Sequence, residues 1–224
     1  LFLQNMPSDI TQEYDFIPAD IRDKEEIFNL TLNDFLAIEP HSVALGITAN
    51  NATEFIGSIV TRSLNFPFSY RVVHKPTGKL VAVLLISVCE RDVPEDSNFD
   101  LEKQDEGIQI YVGIIDRLEE KFWERRPEVH KVLHHEISFV HSDHQRRGIA
   151  QHLLHLGLDF DSLRASGFDG IVSEASSFAN QTLLLKNGFE EVARSQPEEY
   201  LDANNNSIVF PDQTREVKLL YLPI

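Results

Sequence analysis

The sequence predicts an α/β (α+β) fold: one domain with a central mixed sheet of about seven strands and helices on both faces. Three observations carry this. β-rich runs alternate with helix-period segments along the whole chain. Its 224 residues suit one domain with a proper core and leave little room for a second. Finally, the apolar run Glu136-Ile137-Ser138-Phe139-Val140 passes through a basic, glycine-bearing turn into a helical pattern at Ala150, Leu153, Leu154, Gly157 and Leu158, which reads as strand, loop, helix.

The elements follow in order. Ile10 to Pro18 reads as a first strand. Asp20 caps a helix whose apolar positions Ile27, Leu30 and Phe35 recur at helical spacing, and Glu39-Pro40 closes it. Thr53 to Leu64 is a second helix. Tyr70–His74 and Leu80–Glu90 flank Lys75-Pro-Thr-Gly-Lys79, a hairpin signal in which proline presets one turn angle and glycine supplies another. Arg91 to Glu106 is an acidic, turn-rich loop. The helix Gly107–Arg126 puts Ile110, Ile114, Ile115, Leu118 and Phe122 on one side, with Pro127 beyond its end. Then come a strand at Val132–Val140, a helix at Arg146–Ala165, a strand at Gly170–Glu174 and a helix at Phe178–Lys186. Strands at Phe189–Ala193 and Glu216–Leu222 end the chain, joined by a polar segment, 196–214.

Composition narrows the function. With 36 acidic against 20 basic side chains and a formal charge of -16, a general nucleic-acid binder is disfavoured, because phosphate neutralisation needs clustered Lys and Arg. The same charge favours cationic small molecules. The single cysteine, Cys89, rules out an intramolecular disulfide and reads as a buried thiol. No run reaches the roughly 18–20 apolar residues of a membrane span, and the N-terminus lacks a basic region followed by an apolar one, so the expectation is a cytoplasmic protein without membrane contact. The sequons at Asn29, Asn51, Asn180 and Asn205 are read as chance. Met6 reads as an initiator with residues 1–5 left over from expression, and 6–224 as the domain. The nine histidines show no metal-ligand spacing.

The turn His141-Ser-Asp-His-Gln145-Arg-Arg-Gly-Ile-Ala150 carries the chemistry. Backbone N–H groups at a helix start, with Arg146 and Arg147 beside them, suit a pyrophosphate. The turn lacks both the lysine of a P-loop and the glycine triplet of a dinucleotide fold, so another phosphate-bearing cofactor is implied.

The spacing Gln145, Gly148, Ala150 with Val140 before it resembles the acetyl-coenzyme A signature of the GNAT superfamily of N-acetyltransferases. A second segment agrees: strand Gly170–Glu174, then Asn180, then Lys186-Asn187-Gly188-Phe189. The resemblance implies acetyl-coenzyme A as acetyl donor, bound by Phe139, Val140, Gln145, Arg146, Arg147, Gly148, Ile149, Ala150 and Asn180, with the Val140 N–H polarising the thioester carbonyl. Asn180 can also be a plain helix N-cap.

Amine acetylation needs a base, since an alkylamine is cationic at neutral pH. Strand alternation would put His134, Glu136, Ser138 and Val140 on one face, making His134 and Glu136 candidates. Glu39-Pro40 resembles the glutamate–proline pair of the invertebrate-type arylalkylamine N-acetyltransferases, which implies Glu39 as base through water. Ser176 stands where that group carries a serine. Leu184 stands where many members carry a tyrosine acid. The expectation is a monomer or weak dimer acetylating an arylalkylamine by direct attack in a ternary complex. A polyamine or peptide acetyltransferase and a non-catalytic acyl-coenzyme A sensor remain as alternatives.

Overall fold

The computed structural model describes residues 10–93, 99–196, 200, 201, 208, 210 and 216–224. The expectations on residues 1–5, Met6 and Asn205, and on parts of the two polar segments, lie outside them. A seven-stranded sheet runs in the order β1-β2-β3-β4-β5-β7-β6: β1 Tyr14–Pro18, β2 Tyr70–His74, β3 Lys79–Glu90, β4 Lys131–Val140, β5 Gly170–Ala175, β6 Glu190–Arg194 and β7 Lys218–Pro223. All neighbours are antiparallel except β4 and β5. The seven strands of the α/β expectation and its helices are present.

Helices cover both faces. Against one lie α6 (Ile149–Leu153), α7 (Phe160–Ala165) and α8 (Phe178–Lys186), where Ile149, Leu153, Leu163 and Leu184 meet Leu84, Ile86, Leu133 and Ile171. Against the other lie α2 (Lys24–Leu30) and α4 (Thr53–Leu64), which bury Ile27, Ile56 and Val60 on Val83, Leu85 and Ile137. The long α5 (Glu106–Arg125) packs Ile114, Leu118 and Phe122 on Val132, Val172 and Leu219. The apolar stripe of each helix matches the layer it covers.

Three expected elements differ. Ile10–Glu13 is a single helical turn, α1, and only Tyr14–Pro18 pairs with β2. The helix expected after Asp20 is broken into a 3-10 turn, α2 and a wide turn at Thr31–Phe35 closed by Leu36 N–H on the Thr31 carbonyl at 3.3 Å. Pro40 does not end it; Pro40 opens α3 (Pro40–Leu45), where its missing N–H costs nothing. The helix expected over Arg146–Ala165 splits into α6 and α7. Gly157 between them has φ +70, and a Cβ there would lie 1.9 Å from the Tyr70 hydroxyl, so the chain turns and restarts at the Asp159 cap.

The register of β4 decides where its side chains point. Leu85 pairs with Ile137 but Ile86 pairs with His135, so Glu136 is an extra residue, a β-bulge. The bulge reverses the alternation. His134 and Glu136 face α4, where Glu136 meets Arg62, whereas Val140 packs with the α6 layer. The expectation that His134, Glu136, Ser138 and Val140 share one face is therefore corrected: Ser138 and Val140 point to the opposite side.

Candidate active site

Parallel pairing of β4 with β5 stops at His134 opposite Val172. Beyond it the two strands part, and a cavity of about 510 Å³ opens in the gap. Side chains from both faces of the sheet reach it, so it forms a slit through the molecule.

On one side the loop after β4 enters the slit. The Gln145 side-chain amide donates to the Val140 carbonyl at 3.0 Å, tying the loop to the strand end. Arg146 has φ +60 and Gly148 φ +87, and such alternation of left- and right-handed residues turns successive N–H groups into an anion-binding concavity. A non-glycine residue held at positive φ is strained, a feature that clusters at functional sites. Arg146, Gly148, Ile149, Ala150 and Asn180 all line the cavity. Arg147 turns away, its guanidinium 3.3 Å from Glu13. Such a concavity suits a pyrophosphate, the group expected there from the sequence.

Val140 closes the β3 ladder opposite Ala82, and the His141 N–H bonds the Val81 carbonyl at 2.8 Å. Successive N–H groups of a strand point to opposite edges, so the Val140 N–H is directed into the gap. Phe139 packs on the far face, 5.9 Å from the Phe35 ring. Asn180 is not a helix cap: Ser177 caps α8, accepting from the Asn180 N–H, which frees the Asn180 side chain for the cavity.

Glu39 and Ser176 line the same slit from the other side. Glu39 is 4% exposed and caps α3, accepting from the backbone of His41 at 3.1 Å and Ser42 at 2.5 Å. Burial pushes its carboxyl up, but the hydrogen bonds and charge of His41, with hydrogen bonds from Ser42 and Ser176, outweigh it and hold the group below its ordinary value. Glu39 is thus an anion facing the slit. Tyr111 of α5 lies there too. Burial, with Glu39 next, raises its phenol well above the ordinary value, against a hydrogen bond with Ser176. Sequence reasoning passed over Tyr111, although it lies at helical spacing from Ile114, Ile115 and Leu118.

His134 does not reach this slit. It lines a second cavity of about 330 Å³ under α4 and α5, with Arg62, Asp116 and Glu119; Glu136, Glu174 and Tyr111 belong to both. His134 is paired through Nε2 with Glu174, and its Nδ1 lies 3.5 Å from Cys89 Sγ and from Glu136. Burial lowers its pKa, yet Glu174 and Glu136 raise it well above the usual histidine range, so it is a bound cation. Glu136 is gripped by Arg62 through two 2.6 Å bonds and by Ser87 at 2.6 Å. Burial raises its pKa, but Arg62 and then His134 bring it down to about 2. Glu136 lines the slit but is committed to Arg62 and Ser87, and His134 does not line it. His135, which faces the other layer, is driven by burial down to about 3 and stays neutral. Leu184 is buried in the core.

No known family profile matches the sequence, and no curated protein matches it. Solved structures do. An arylalkylamine N-acetyltransferase 2 from Aedes aegypti superposes with TM-score 0.80 at 18% identity over 94% of this chain and 99% of that one. A mosquito arylalkylamine N-acetyltransferase-like 5b gives 0.74 at 14%, over 94% and 100%. A polyamine N-acetyltransferase from Drosophila melanogaster, described as forming N-acetylagmatine, gives 0.72 at 16%, over 95% and 100%. The chain has the fold of the GNAT N-acetyltransferases. Within that fold, the similarity runs mainly to the insect arylalkylamine branch.

Proposed function

We propose that this protein is an acetyl-coenzyme A-dependent N-acetyltransferase for a primary amine, with a small arylalkylamine as acceptor. One observation carries the reading: the gap between β4 and β5 joins the Gln145–Ala150 loop to the Glu39 carboxylate within a single slit. A thioester presented from the loop side and an amine presented from the Glu39 side meet there.

In this reading the Val140 N–H stabilises the oxyanion that develops on the thioester carbonyl. Glu39 draws the ammonium form of the amine into the slit and takes its proton through water. The N–C bond forms as the C–S bond breaks, and the leaving thiolate takes, through water, the second proton that the nitrogen loses; the Tyr111 phenol, its pKa raised well above the ordinary value by burial, stays protonated beside it. Ser176 holds Glu39 and Tyr111 in register. Attack is direct, because the one thiol, Cys89, is buried beside His134 and its pKa is raised by burial. That free thiol also suits a cytoplasmic enzyme. The rings of Phe35, Tyr111 and Phe139 around the slit favour an aromatic acceptor.

A second reading rests on the second cavity, where Asp116 and Glu119 would suit the distal cation of a polyamine. Coenzyme A release measured with dopamine, tyramine, tryptamine, spermidine and a lysine peptide separates the two. Preference for the aromatic amines is expected; preference for spermidine supports the second reading, and turnover of no amine overturns both.

A further inference from the structure

Behind Glu39 lies a row of buried polar groups that the acetyl transfer described above does not use. His41, second residue of α3, is 0% exposed, Tyr200 2% and Ser195 1%. Tyr200 Oη lies 3.2 Å from His41 Nε2 and 2.5 Å from Ser195 Oγ. The β7-side Val217 N–H donates to Ser195 Oγ at 2.8 Å. His41 Nδ1 lies 3.5 Å from Glu39 Oε1, too far for a hydrogen bond, and has no hydrogen-bond partner among the described residues. Phe210 packs on the His41 ring at 4.8 Å and on Tyr200 at 5.0 Å, sealing the row from water.

The proton directions follow from the charge at the end of the row. A lone pair on Nδ1 facing the Glu39 anion would be repelled, so Nδ1 carries the proton and Nε2 accepts. Tyr200 then donates to Nε2, Ser195 donates to Tyr200, and Val217 N–H donates to Ser195. One orientation satisfies both hydroxyls and Nε2, and leaves the Nδ1–H dipole facing the Glu39 carboxylate at 3.5 Å. A residue 159 positions away in sequence is in this way coupled to the carboxylate.

We propose that His41 and Tyr200 are positioning residues for Glu39: a one-way chain of donors from β7 through Ser195, Tyr200 and His41 orients its carboxylate toward the acceptor side of the slit and holds it as the anion. This rests on the N-acetyltransferase reading, with Glu39 as base. The chain gives a reason for Tyr200, which follows the far-edge strand β6, to lie against α3. His41 is also the strongest influence opposing the burial of Glu39. The other polar groups around the carboxylate are Ser176 and Tyr111, with Glu174 beyond Tyr111, and none replaces the chain.

The test is the pH dependence of kcat/KM, whose acid limb reports the free enzyme's base. In Tyr200→Phe the donor to Nε2 is lost, and the acid limb should move up by about one pH unit, with a shift of that size corresponding to a tenfold change in the ionisation equilibrium. Affinity for acetyl-coenzyme A should stay within about twofold. Ser195→Ala should shift the limb in the same direction by less, and His41→Asn, which can still offer an N–H toward Glu39, should restore part of it relative to His41→Ala. A purely structural role would lower the melting temperature and the rate at every pH and leave the limb in place; that result overturns the inference while leaving the acetyltransferase reading intact. A wild-type protein that acetylates no amine overturns both.

Discussion

The two halves of the slit are built in opposite ways. The proposed donor side is one continuous stretch, β4, its loop and α6, with Asn180 added from α8. The proposed acceptor side gathers Glu39, Tyr111 and Ser176 from three distant segments, with Tyr200 behind His41 from a fourth. A phosphate cradle needs backbone N–H groups in a fixed curve, which a local turn supplies. A base needs a buried carboxylate with matched surroundings, which only tertiary packing supplies. The donor half is therefore governed by backbone conformation and the acceptor half by networks of charge.

Four perturbations probe that contrast. Arg62→Ala leaves Glu136 buried beside His134 without its main partner, and loss of one member of a buried pair costs about 3–5 kcal/mol. Denaturant unfolding should show this, together with loss of activity; a loss below about 1 kcal/mol, the scale of an exposed pair, would mean that the charge network does not brace the acceptor wall. Gly148→Asp should weaken coenzyme A binding by roughly a hundredfold, through a charge opposed to pyrophosphate and a side chain at φ +87 that only glycine adopts freely. Titration calorimetry measures it, and unchanged affinity would unseat the loop as the cradle. Ser176→Ala should lower kcat about tenfold or less, since it removes one neutral hydrogen bond, and should leave coenzyme A affinity alone.

The fourth perturbation is acidification. Glu136 falls in the folded state from 4.5 to about 2, so its contribution is present above its unfolded value and is lost as the pH drops through that interval. His135 falls from 6.5 to about 3, and the unfolded chain binds a proton there that the folded one refuses. Both weaken the fold on acidification. His134 works in the other direction, stabilising below its unfolded value and losing that contribution only as the pH rises through its raised one. Thermal midpoints should decline from about pH 6 toward about pH 3 by about 2–4 °C for each kcal/mol lost. In His135→Asn the decline should begin at a lower pH.

The same division explains what the sequence revealed. The strand, loop and helix start that carry Val140, Gln145, Gly148 and Ala150 were legible because an apolar run, a glycine-bearing turn and a helical pattern follow one another locally. Thr53–Leu64 was legible from its apolar periodicity, and Phe178–Lys186 from the Asn187-Gly188 that ends it. The bulge at Glu136 was not, since it exists only relative to the β3 register at Leu85 and Ile86. Nor was the cap that Glu39 makes for α3, because Pro40 can end one helix or open the next. Tyr111 was passed over because its spacing on an amphipathic helix is that of any core position, and only the parting of β4 from β5 gives it a cavity. The split of the loop helix at Gly157 depends on Tyr70, far away in the chain.

The central claim is that donor and acceptor sites are separate sides of one slit, with Glu39 serving the acceptor alone. Glu39→Gln tests it most directly, with acetyl-coenzyme A affinity and kcat for tyramine measured on the same preparation. Affinity should be unchanged and kcat lower by about 10²–10⁴-fold, the usual contribution of a general base. Turnover equal to that of the wild type, or loss of acetyl-coenzyme A binding along with activity, would contradict it.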